Sequence, residues 1–243
     1  MKNKKALFIP LVLAAALFFT TCGLDTIPIV PSPTSVTHEP VYTSSDFAAN
    51  YFSFTAPTVD SVPDLTFLGT AVYYRIYASS ATMLSKQSSI SSVNTEADSS
   101  AAANRMISYG YQQLNTSEGE IQPLIGKAGG LVTIRLTNYG NGDDANNEYR
   151  AQISPITKIP RRSVGTNKTF DFGRHDNNKY TPSENYALPA SGDEDFENGT
   201  VENNKYYVDM YAVCVGRDAT YTRHFSQVLH LGSVPIDATL ENN

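Results

Sequence analysis

The stretch Tyr206-Tyr-Val-Asp-Met-Tyr-Ala-Val-Cys-Val215 holds no glycine, no proline and no run of helix formers. Side chains alternate between the two faces of a strand. Tyr206, Val208, Met210, Ala212 and Cys214 therefore share one face, and Tyr207, Asp209, Tyr211, Val213 and Val215 share the other. This pattern predicts the central strand around which a β-sandwich is assembled.

A chain of 243 residues suits one globular domain with insertions. Its net charge of −6 argues against a nucleic-acid partner, which would demand clustered cations. Arg161-Arg162 is the one adjacent basic pair after the N-terminus. Tryptophan is absent, so 15 tyrosines and 11 phenylalanines carry the aromatic bulk, as suits strands.

The N-terminus has the three parts of an export signal: Lys2, Lys4 and Lys5, an apolar stretch from Ala6 to Phe19, and the boundary Thr20-Thr21-Cys22-Gly23. The apolar stretch contains Pro10 and is shorter than the about 20 residues of a permanent span. Two readings follow: an ordinary secretory signal in which Cys22 is incidental, or a lipoprotein signal. Phe19-Thr20-Thr21-Cys22 resembles a bacterial lipobox, with Phe19 in place of Leu and Thr21 in place of Gly or Ala, as in the looser lipoboxes of spirochaete-type lipoproteins. The resemblance implies a signal peptide over 1–21 and a lipidated Cys22 as first residue of the mature chain. It also implies a location on the bacterial cell envelope, at the outer membrane or cell surface, with the membrane as partner through the lipid anchor. The one other cysteine is Cys214, and a disulfide would tie the N-terminal segment to the middle of a core strand. With Cys22 acylated, Cys214 is a buried small hydrophobe. Pro28, Pro31, Pro33 and Pro40 among Ser and Thr predict an extended tether over 22–49.

The domain is expected over 50–240. Phe52 and Phe54 alternate before Pro57, and in Thr70 to Ala78 the residues Val72, Tyr74 and Ile76 share one face while Tyr73, Arg75 and Tyr77 share the other. Phe52-Ser-Phe54-Thr-Ala-Pro57 resembles strand B of fibronectin type III modules, with Phe54 where those modules carry tryptophan. Gly69 with Val72, Tyr74 and Ile76 resembles their strand C, Tyr206 to Val213 their strand F, and Phe225 to Val234 their strand G. The resemblance implies a mainly β fold, an immunoglobulin or fibronectin type III-like antiparallel sandwich. Between strands C and F an insertion is expected over about 79–204. Within it, Thr95 and Asp98 suggest a capping box opening one amphipathic helix, with Ala103, Met106, Ile107, Tyr111 and Leu114 on its stripe. Leu131–Thr137 and Glu148–Ile153 suggest a hairpin, Lys168–Phe172 a short strand, and 173–204 a long loop.

Chemical motifs are sparse. Asp171-Phe172-Gly173 lacks the rest of a kinase signature, and Lys127 after Gly126 leads into a strand rather than a phosphate-binding helix. The histidines His38, His175, His224 and His230 are scattered without metal-ligand spacing. Asp193, Asp195 and Glu197 alternate as calcium-loop ligands do, but Asn198 and Asn204 stand where an EF-hand needs Gly and Glu, so a solvated acidic loop is expected. In a fibronectin-like sandwich strands C and F are neighbours, which brings Tyr73, Arg75 and Tyr77 beside Tyr207, Asp209 and Tyr211. That group is the candidate patch for a protein or carbohydrate ligand. The competing expectation is that the inserted helix covers it. The sequence thus suggests a non-catalytic envelope binding module with no cofactor and no metal. The alternative is an envelope enzyme or accessory acting on glycans through Asp193, Asp195 and Glu197.

Overall fold

The structure is a computed structural model that describes residues 29–116, 123–139, 150–165, 168–176, 179–181 and 186–237. The signal segment and Cys22 lie outside the described residues. In chain order the elements are β1 (Ser35–His38), β2 (Phe52–Ala56), β3 (Thr66–Tyr77), α1 (Ser80–Ser91), α2 (Ala101–Ser108), β4 (Gln112–Gln113), β5 (Asn115–Thr116) and β6 (Gly130–Arg135). They continue with β7 (Asn138–Tyr139), β8 (Gln152–Ser154), β9 (Pro160–Gly165), β10 (Lys168–Asp171), β11 (Arg174–Asp176), β12 (Lys179–Thr181), β13 (Phe196–Glu197), β14 (Lys205–Arg217) and β15 (Arg223–Asp237).

The fold is mainly β: its two largest sheets, both predominantly antiparallel, form a sandwich, and the described residues also form two three-stranded sheets, β10-β9-β5 and β12-β11-β7. One sheet of the sandwich runs β1-β2-β6-β8 and the other β13-β3-β14-β15, with β4 also on the β13 edge of β3. The long strand read first from the sequence is β14, and it is central: β3 pairs one side and β15 the other. Its even face, with Val72, Tyr74 and Ile76 of β3, packs on Phe52, Phe54, Val132, Ile134 and Ile153 of the first sheet. Burial of these aromatic and β-branched side chains between two sheets is the main stabilising term. The outer edge of β3 is closed in three short pieces: a bridge from Thr70 to Ile125, then β4, then the parallel strand β13. No long run of unpaired backbone is left there to template aggregation.

The odd face of β14 is covered as well, by α1 and α2. Met83, Ile90, Ala102, Ala103 and Met106 pack on Ala71, Tyr73, Tyr77, Tyr207, Tyr211 and Val213. The central sheet is therefore buried on both faces, which explains why β3 and β14 read as nearly unbroken apolar runs.

Several expectations need correction. Instead of one helix opening at Thr95, the described residues form α1 and α2, and Thr95 and Asp98 form a tight antiparallel bridge before α2. Ile107 is exposed, and Leu114 has left the helix: its N–H donates to the Val72 carbonyl (2.7 Å) and its side chain joins the sandwich core. The hairpin is not separate from the sandwich, because β6 pairs β2 directly and β8 pairs β6. The proline-rich segment is not all tether. Val30 is buried, and β1 is an edge strand on β2. The region 173–204 is not one loop, since β13 within it pairs β3 in the core sheet.

Candidate functional site: a buried polar cluster under the helices

The six residues expected to meet do meet. In the register of β3 against β14, Tyr73 lies opposite Tyr211, Arg75 opposite Asp209, and Tyr77 opposite Tyr207. They do not form an open patch, which corrects that part of the expectation: Tyr73, Arg75, Tyr77, Tyr207, Asp209 and Tyr211 are each less than a tenth exposed. The cause is the two-helix layer, whose apolar stripe must be buried somewhere. Tyr207 is further covered by Tyr42, whose ring meets it edge-on at 5.7 Å.

Asp209 is the hub. Its Oδ1 accepts from Gln87 Nε2 on α1 and from Ser233 Oγ on β15, each at 2.8 Å, and lies 2.8 Å from His230 Nε2. Its Oδ2 accepts from the Tyr111 hydroxyl, placed just after α2. A carboxylate with no exposed surface needs such partners, because an unpaired buried charge is costly. The ring of Tyr111 meets Tyr211 edge-on at 5.5 Å and Tyr77 at 6.2 Å, and Tyr211 lies 4.8 Å from His230. Burial, with the charge of Asp209 added, raises the phenol pKa values of Tyr77, Tyr111 and Tyr211. These phenols stay neutral at physiological pH, and the Tyr111 hydroxyl serves Asp209 as a donor, not as a base. His230 is different: burial opposes its charge, but hydrogen bonding to Asp209 and the charges of Asp209 and Glu39 outweigh that and raise its pKa. Its Nδ1 lies 3.7 Å from Glu39 Oε1, so the ring sits between two carboxylates.

Arg75 turns away from Asp209. Its Nη2 reaches Glu197 Oε2 at 2.5 Å, and its guanidinium lies over Gly110, where a Cβ would come within 1.9 Å of Nη1. Gly110 has φ of +80°, a left-handed conformation that glycine adopts without strain.

A second cluster closes the other side of β3. Strand β9 alternates inward and outward residues, which points Arg162 into the molecule at 1% exposure. Its Nε and Nη2 donate to the two oxygens of Asp195, each at 2.9 Å, in a bidentate pair. Nη2 also donates to Asp193 Oδ2 at 2.9 Å and Nη1 to the Ala187 carbonyl at 2.7 Å. The Tyr74 hydroxyl donates to Asp195 Oδ2 at 2.8 Å while accepting the Ser163 N–H at 2.5 Å. The acidic run is thus not a solvated loop. Asp193 and Asp195 are held by Arg162, and Glu197 by Arg75. Carboxylates engaged in this way fasten the segment to the sheet.

The remaining sequence candidates are dispersed. His38 stacks on Tyr51 at 3.8 Å, His224 pairs with Asp218 at 2.9 Å, and Cys214 lies buried beside Thr70. Among the described residues no group of three or more His, Cys, Asp or Glu is arranged to hold a metal ion. Sequence reasoning missed Gln87, Tyr111, Ser233, His230 and Arg162 as members of these clusters. The adjacent pair Arg161-Arg162 on an alternating strand was the available signal for the last. No protein-family model, no curated protein and no solved structure matches this chain.

Proposed function

We propose that the chain is an envelope lipoprotein, anchored through a lipidated Cys22, whose sandwich serves as a non-catalytic module for binding a protein or carbohydrate at the outer membrane or cell surface. The observation that carries this reading is the tripartite N-terminal segment ending at Cys22, with its lipobox resemblance. Several acyl chains, at about 0.8 kcal/mol per buried methylene, would hold the protein without a transmembrane helix. Among the described residues no helix is long and apolar enough to cross a membrane. The reading is supported by the use made of the ionisable clusters: Asp209, Asp193, Asp195 and Glu197 join helices, strands and loops to the core sheet. The adjacency of β3 and β14 is what the fibronectin type III resemblance implies for strands C and F, and kinship to such binding modules is part of the proposal. With the tyrosine face closed, the ligand surface lies on the outside of the helix layer or at the ends of the sandwich. Incorporation of labelled palmitate, lost in Cys22→Ser, tests the anchor; equal labelling of that variant would contradict it. Proteolysis of intact cells tests outward display, with degradation expected for a surface protein and full protection for a periplasmic one.

A further inference from the structure

We infer that the β14–β15 hairpin end of the sandwich is a contact surface for the phospholipid bilayer, an inference that rests on the lipid anchor proposed at Cys22. Val30, the first buried residue among those described, packs at this end: its Cγ2 lies 3.2 Å from where a Cβ on Gly216 would sit, next to Phe67 and Cys214. Eight residue steps separate Cys22 from Val30, and a fully extended chain spans at most about 28 Å over them. The far end of β14, at Lys205, is eleven steps from Gly216, about 36 Å at 3.3 Å per residue. An anchored chain therefore keeps the hairpin end within about 28 Å of the membrane, and a tether of that length is shorter than the about 36 Å from Gly216 to the Lys205 end.

The hairpin is built to present an aromatic there. Tyr221 is 75% exposed with φ of +67°, a conformation unusual for a bulky residue. It is held by Asp218, whose Oδ1 accepts from the Thr220 N–H (2.8 Å), the Thr220 hydroxyl (2.7 Å) and the Thr222 N–H (2.9 Å), while Oδ2 faces His224. The Arg217 guanidinium lies 4.9 Å from the Tyr221 ring, and Arg223 is its cross-strand neighbour. Lys127 adjoins the same end through its carbonyl bond to the Val59 N–H. These three cations share the end with Asp60, Asp64 and Asp218, and with Asp98 beside the Ser99 and Ser100 contacts to Phe225. Tyrosine at headgroup level beside arginine is the chemistry of a lipid interface.

The chain has no tryptophan, so one introduced indole is a unique reporter. The full-length lipidated protein is reconstituted into vesicles of phosphatidylethanolamine and phosphatidylglycerol, with or without brominated acyl chains. Tyr221→Trp is compared with Val201→Trp, which lies next to Glu202 and Lys205 at the opposite end. Emission from Tyr221→Trp should shift to the blue and fall about twofold with brominated lipid, while Val201→Trp stays unchanged. Adding Arg217→Glu to Tyr221→Trp should weaken the quenching. Protein that floats with the vesicles but shows equal or no quenching at the two sites overturns the inference and leaves the anchor standing. So does an indole at 221 that stays open to soluble iodide on the vesicle, which would point to a soluble partner instead. Protein that fails to float overturns both.

Discussion

Asp195 and Asp193 share one arginine but sit in different surroundings, and their removal should differ accordingly. Asp195 is fully buried with Arg162 and Tyr74, whereas the Asp193 side chain is 13% exposed. Asp195→Ala leaves a buried guanidinium without its bidentate partner, which costs about 3–5 kcal/mol. Asp193→Ala removes the hydrogen bond from Arg162 and that from the exposed Ala190 N–H, which water can replace, while Arg162 keeps Asp195, so the cost is about 1.5–3 kcal/mol. Urea unfolding of the two variants checks the order, and a larger loss for Asp193→Ala would contradict it. His230 supplies a pH-dependent contribution with a definite sign. Its folded-state pKa is raised, so the native state holds the proton more tightly than the unfolded chain does. The resulting stability is fully present below the unfolded value of about 6.5 and is lost as pH rises through the folded value above it. Unfolding midpoints measured from mildly acidic to mildly alkaline pH should fall for the wild type more than for His230→Gln; parallel profiles would show that His230 does not titrate with folding.

At the scale of elements, the helix layer decides whether the tyrosine face is core or surface. Met106 is fully buried against that face, and Ile107, one residue on, is 38% exposed. Met106→Ala should cost about 2–5 kcal/mol, through lost burial and the cavity left behind. Ile107→Ala should cost far less, in line with about 0.5 kcal/mol for surface changes. Equal melting temperatures for the two would mean that α2 is not seated as described. The strands were legible because β3 and β14 are long runs rich in aromatic and β-branched residues, and Phe52 and Phe54 mark the strand of the other sheet that packs on them. Helix α1 was not. Its buried apolar residues are Met83 and Ile90, seven apart among serines, too sparse to register as a stripe. Its start is fixed from elsewhere, by Glu202, whose carboxylate accepts from the Ser79 and Ser80 hydroxyls and the Ser80 N–H. The cluster under the helices was half legible for the same reason. Asp209 and the tyrosines come from two recognisable strands, while Gln87 lies on the unrecognised helix and Tyr111 was assigned to a helix that ends before it.

On the scale of the whole molecule, the two cysteines report the two halves of the proposal independently. Cys214 lies near the hairpin end of the central strand β14, and burial raises its thiol pKa to about 11 despite hydrogen bonding with Thr70 and Ser226. The reactive species is the thiolate, so a thiol both buried and protonated is inert until the sandwich opens. A lipidated Cys22 has no free thiol. Mature protein purified from the envelope should therefore show no fast-reacting thiol when native and one when denatured. A protein exported by an ordinary signal that leaves Cys22 unmodified in the mature chain would carry a second free thiol and show two when denatured. Titration with a chromogenic disulfide at about pH 8, with and without denaturant, separates the cases. Fast native reaction in Cys22→Ser as well would place the fault in the fold, since it requires the β3–β14–β15 sheet to open around Cys214 under native conditions.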